Sequence, residues 1–123
     1  MKTLLLLVAL TLAAPACQHA PPTLSPAAQL AFQGTRAIKG LDLLRDYAID
    51  ANAQKPPLLS EAVTRKVVTY HRSAITTIHD IPNGWKPAVQ TGLDEVLKDV
   101  PGPEAQKLAP YVALIKTILA EVN

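Results

Sequence analysis

Arg65, Thr69, Arg72, Thr76 and His79 recur at steps of four, three, four and three residues. On an α-helix this spacing places all five on one face. Guanidinium, hydroxyl and imidazole groups in such a row form a ridge suited to oxyanions, lipid phosphates among them. A second row, Asp42, Asp46 and Asp50, repeats every four residues. Like charges at that spacing cost a helix a few tenths of a kcal/mol each, and acids in its later turns oppose its dipole. The aspartates therefore serve something other than the helix's own stability. A full turn apart on a rigid rod, they cannot wrap calcium as a loop does. The reading that needs no ligand is a helical hairpin in which Asp46 neighbours Arg65 or Lys66, an exposed pair worth about 0–1 kcal/mol.

Other chemistry is sparse. His71 and His79 are eight residues apart, too far to share a metal as an i, i+4 pair would, and His19 stands alone near the N-terminus. The single cysteine, Cys17, cannot build a disulfide framework or a cysteine-based zinc or iron–sulfur site. The chain holds no Cys-x-x-Cys-His, no Glu-x-x-His, no P-loop, no Gly-x-Gly-x-x-Gly and no Gly-x-Ser-x-Gly. No acid–base or nucleophile constellation can be assembled, so the expectation is a non-enzyme without cofactor or metal. Twelve basic against ten acidic residues, with no basic tract or aromatic platform, also argue against nucleic-acid binding.

Three apolar residues are candidates for contact. Trp85, the only tryptophan, follows Gly84 at a helix start and is expected to close one end of the core, with an outward anchor for a partner as the alternative. Phe32 and Leu43, eleven residues apart, fall on nearly the same side of an otherwise polar helix back. They mark a contact surface through which copies of the chain could associate.

These residues need helices to position them, and proline divides the chain into suitable lengths. A total of 123 residues allows one domain. Pro56-Pro57, Pro82, Pro101 and Pro103 separate stretches of helical period. The first helix starts with Ser25 as N-cap and Pro26 at the first helical position, and its stripe runs Leu30, Gly34, Ala37, Leu41, Leu44, Ala48, Ala51. The second begins after Ser60 and carries Val63, Val67, Tyr70, Ala74, Ile78 and Ile81. Its many β-branched residues favour strands, but alternation fails and nothing inside it could turn a hairpin. The third aligns Trp85, Val89, Leu93, Val96 and Val100. The fourth runs from Pro103 or Pro110 to Val122, with Pro110 either kinking it or marking its start, since interior proline costs about 3 kcal/mol. Its last turns are apolar nearly all round and predict a helix enclosed by its neighbours. The fold class expected is all-α: a small antiparallel bundle of about four helices over residues 26–123.

Residues 1–16, MKTLLLLVALTLAAPA, have a basic start, a nine-residue apolar run and a small-residue exit, the three parts of a secretory signal. The apolar run is too short to span a bilayer, which takes about 20 residues. Ala14-Pro15-Ala16 satisfies an A-x-A cleavage site. Followed by Cys17, the same residues resemble the lipobox of bacterial lipoproteins, with Ala14 and Pro15 where Leu and then Ala or Ser are usual. The resemblance, confined to residues 1–17, implies cleavage before Cys17, its acylation and attachment to a membrane. Gln18, not aspartate, after the cysteine implies sorting to an outer membrane if the host is Gram-negative. Residues 17–25 are proline-rich and lack a hydrophobic period, as a tether would; extended, they reach about 28 Å.

Together these features predict a cell-envelope lipoprotein facing the periplasm, anchored through acylated Cys17 and binding an envelope protein or component through its helix surfaces. Two alternatives stand beside it. One is a bundle that opens between helices to hold an apolar or anionic small molecule, using its aliphatic core and Arg65 or Arg72. The other is a secreted helical protein without the lipid.

Overall fold

The computed structural model describes residues 25–121, which form four helices: α1 (Pro26–Ala53), α2 (Glu61–Asp80), α3 (Trp85–Leu97) and α4 (Gly102–Ala120). The signal-like segment, Cys17, His19, the tether before Ser25, and Val122 lie outside the described residues. The fold is an all-α bundle. Helix α1 packs on α2 and on α4, α2 packs on α3, and α3 makes a smaller contact with α4, so the helices close into a ring.

Paired contacts reveal the directions. Thr64 Oγ1 donates to the Ala48 carbonyl at 3.4 Å, His71 meets Asp42, and Ile78 lies against Gly34. Each advance along α2 is thus a retreat along α1, which makes the pair antiparallel. Tyr47 stacks on Tyr111 and Arg36 pairs with Glu121, so α1 and α4 are antiparallel as well. Short connections between successive helices fit this alternating course.

Local chemistry explains the boundaries. Ser25 and Ser60 cap α1 and α2, their hydroxyls accepting from the backbone N–H of Ala28 and Val63, both at 3.2 Å. The cap satisfies the Ala28 N–H, and Pro26 at the first helical position has no N–H to satisfy. Beyond Ala53 the backbone turns extended at Gln54 and the two prolines follow. Helix α2 forms despite its β-branched residues. Thr76 and Thr77 return their hydroxyls to the carbonyls of Arg72 and Ser73, at 3.0 and 2.9 Å, a bond that helical threonine can make at i−4.

The core holds the expected stripes: Ala37, Leu41, Leu44, Ala48 and Ala51 from α1, Val63, Val67, Tyr70, Ala74 and Ile78 from α2, and Trp85, Val89, Leu93 and Val96 from α3. Helices α1 and α4 approach closely at Gly40, where a Cβ would lie 3.3 Å from both Ile115 and Ile118, tighter than an ordinary contact. Four points change, settle or add to what the sequence indicates. Helix α2 ends at Asp80, so Ile81 is its exposed C-cap and not the last residue of the stripe. Leu59, in the connection before Ser60, is fully buried and belongs to the core. Helix α4 begins at Gly102 and runs through Pro110. Gln106 and Pro110 both lie on its exposed side, where water can reach the carbonyl that the proline leaves without a helical donor. Finally, α4 is not enclosed: Ala113, Lys116, Thr117 and Ala120 face solvent while Leu108, Val112, Ile115, Ile118 and Leu119 are buried. Alanine made α4 apolar by count, and alanine is tolerated on an exposed helix face.

Candidate functional site

The row Arg65, Thr69, Arg72, Thr76, His79 forms the exposed crest of α2, as its spacing predicts. The neighbouring helices divide it into parts with different surroundings. Arg65 and Thr69 line an open groove of about 560 Å³ between α2 and α3, together with Lys66, Ser73, Gly92, Glu95 and Val96. Arg72 and Thr76 line a smaller cleft of about 280 Å³ on the α1 side, with Arg45, Val68, His71 and Ile75. His79 borders a third hollow of about 290 Å³ at the end of the bundle, beside Gly34, Pro82 and Trp85. The one crest thus borders three separate hollows.

Tyr70 and Gly92 line the α2–α3 groove where the two helices pack closely. Tyr70 is buried and its hydroxyl donates to the Val89 carbonyl at 2.8 Å, tying α2 to α3. A Cβ on Gly92 would stand 2.9 Å from the Tyr70 ring, so only glycine lets the two helices approach here. Burial, with the Asp94 carboxylate adding to it, raises the Tyr70 phenol far above its ordinary value. It stays a neutral hydrogen-bond donor. The groove's cations are already engaged: Arg65 pairs with Glu61 at 2.8 Å and Lys66 approaches Asp99 at 3.9 Å.

The wall of the α1–α2 cleft is built differently. His71 is buried, and its Nε2 lies 2.7 Å from Asp42 Oδ1, which gives the first aspartate of the row a structural task. Asp46 does not reach Arg65 or Lys66 as the hairpin reading expected. It is held by its neighbour Arg45, whose Nε and Nη2 both lie 3.0 Å from Asp46 Oδ1. The cause is direction: Asp46 is exposed on α1, Arg65 reaches back along its own helix, and Lys66 leans toward α3. Asp50 is exposed. Arg72 forms no side-chain hydrogen bond or ion pair among the described residues.

Sequence reasoning missed one charged cluster altogether. Arg36, Gln33 and Glu121 meet where α1 packs on the end of α4: Arg36 Nη1 donates to Gln33 Oε1 at 3.0 Å and to the Glu121 carboxylate, and all three side chains are largely buried. Gln33 lies three residues before Arg36 and was readable as a helical neighbour. Glu121, 85 residues away, was not.

Trp85 is 1% exposed and closes the end of the core, so it offers no outward anchor. Phe32 is half-buried, whereas Leu43 is half exposed, at 50%. Among the described residues no three His, Cys, Asp or Glu side chains gather as metal ligands would, and no helix is long and apolar enough to cross a membrane. No family model, curated protein or solved structure matches the chain.

Proposed function

We propose that the chain is an exported lipoprotein of the cell envelope whose bundle works by binding, not catalysis, through the surface of α2. The observation that carries the binding part is the contrast between interior and crest. Among the described residues every buried side-chain nitrogen and oxygen has a partner, while the hollows beside α2 open to the surface. A ligand is thus met at the helix surfaces, where Arg72, Thr69 and Ser73 are accessible. The anchoring part rests on the signal-like residues 1–16, on Cys17 and on the tether. Acyl chains contribute about 0.8 kcal/mol per buried CH₂, so a multiply acylated Cys17 would hold the bundle at a membrane essentially without release.

The intact mass of the protein from a membrane fraction tests the anchor. A diacylglyceryl-type increase that disappears in Cys17→Ser is the expected result. An unmodified thiol on protein recovered from the soluble periplasm would establish the secreted alternative.

A small-molecule reading is favoured by one specific observation, the α2–α3 groove. Its volume of about 560 Å³ falls in the range of ligand sites, and Tyr70, Gly92 and Val96 supply an apolar lining. Saturable binding of a medium-chain fatty acid that is lost in Gly92→Val would support it. Linear, non-saturating uptake would count against it.

A further inference from the structure

The α1–α2 cleft combines an unengaged guanidinium with a second cation across a small hollow. Arg72 projects from α2 with no side-chain partner among the described residues. Arg45 lines the same hollow from α1; its Nε and Nη2 hold Asp46, which leaves Nη1. His71 lines the same hollow with its Nε2 committed to Asp42, so Nδ1 is the ring's remaining polar atom. Val68 and Ile75 supply apolar surface.

Carboxylates flank the cleft too, and their engagement decides the balance. Asp42 is occupied by His71 and Asp46 by Nε and Nη2 of Arg45. Arg72 therefore keeps its donors unspent among the described residues, while Asp42 and Asp46 are each already matched. The α2–α3 groove differs in having no arginine without a partner among the described residues: Arg65 pairs with Glu61 and Lys66 with Asp99, and Glu95 adds a further negative charge.

We infer that this cleft is a phosphate-binding site, in which Arg72 and the free edge of Arg45 clamp a phosphate oxyanion while Val68 and Ile75 accommodate the apolar part of a phosphoester. Two guanidiniums approaching from different helices suit the several oxygens of a phosphate better than a single carboxylate. The inference deepens the surface-binding reading by naming its ligand chemistry. It does not depend on the lipid anchor.

Titration calorimetry on the full chain carrying Cys17→Ser, which cannot be acylated, keeps the two claims apart. The probes are inorganic phosphate and a short-chain phosphatidic acid below its micellar concentration. Saturable one-to-one binding is expected, weakened at least tenfold in Arg72→Ala and in Arg45→Ala, and unchanged in Arg65→Ala. Equal affinity for both probes would identify free phosphate as the ligand, and tighter binding of the phosphatidic acid a lipid headgroup. Absence of saturable binding by either probe would overturn the site, as would an Arg72→Ala chain that binds like its parent. Both arginines lie at the surface, and circular dichroism of each variant checks that the helices persist.

Discussion

The two hollows flanking α2 differ less in residue type than in what each cation already holds. On the α3 side the volume is larger and the lining more apolar, yet Arg65 and Lys66 have acidic partners. On the α1 side the hollow is half that size, and Arg72 is unpaired among the described residues. Both arginines belong to the same row with the same helical spacing. Availability for an incoming anion is thus set by neighbours that arrive from other turns and other helices. A charge counted in sequence is not yet a charge that can bind.

The largest effect expected from disturbing this contrast lies at the floor of the α3-side groove. Gly92→Val would force Tyr70 aside against its bond to Val89. Overpacking of this kind costs about 1–3 kcal/mol, and chemical denaturation should show a loss in that range. On the opposite side, Asp42→Ala removes the partner of a buried histidine. A buried group left unsatisfied costs about 1–3 kcal/mol, but Asp42 is itself 43% exposed and water can replace it in part. A loss of about 1–2 kcal/mol in the same measurement is the expected result, and it should not alter the α2–α3 groove.

Tyr70→Phe should cost about 1 kcal/mol by removing one hydrogen bond, and it carries a pH signature. The phenol is raised in the folded state, so the folded chain keeps a proton that the unfolded chain releases. Its stabilising contribution is complete below the ordinary tyrosine range, about 10, and declines as pH rises beyond it. Urea denaturation across the alkaline range should show that decline in the parent and a shallower one in Tyr70→Phe. The smallest effect belongs to Arg65→Ala. Its partner Glu61 lies one turn away and both are mostly exposed, so the change in stability should stay within about 0.5 kcal/mol.

Much of the architecture was legible in the sequence. The stripes of α1, α2 and α3, the serine caps and the proline breaks correspond to observed elements, because each rests on local spacing or on one backbone property. Position within the bundle was harder. Leu59 lies between proline and serine and has no periodic neighbours, so its burial followed only from how the connection folds back onto the core. Pro110 is tolerated because its side of α4 meets water, a fact set by docking and not by the residue.

The site shows the same division. The crest of α2 was visible as a row, and Trp85 closes the core end as its setting indicated. The pairing of Glu61 with Arg65 was also available, since opposite charges four residues apart meet on a helix. The His71–Asp42 contact was not, because it depends on the register between α1 and α2. A shift of one turn would have brought different residues of the aspartate row to α2.

Site-specific photo-crosslinking in native cells tests the central claim, that the bundle binds envelope components through α2, most directly. A photoreactive residue at Thr69, on the exposed crest, should give a discrete adduct with one envelope component. The same residue at Lys116, on the exposed side of α4, should give none. Equal labelling from both positions, or adducts from Lys116 alone, would contradict the account.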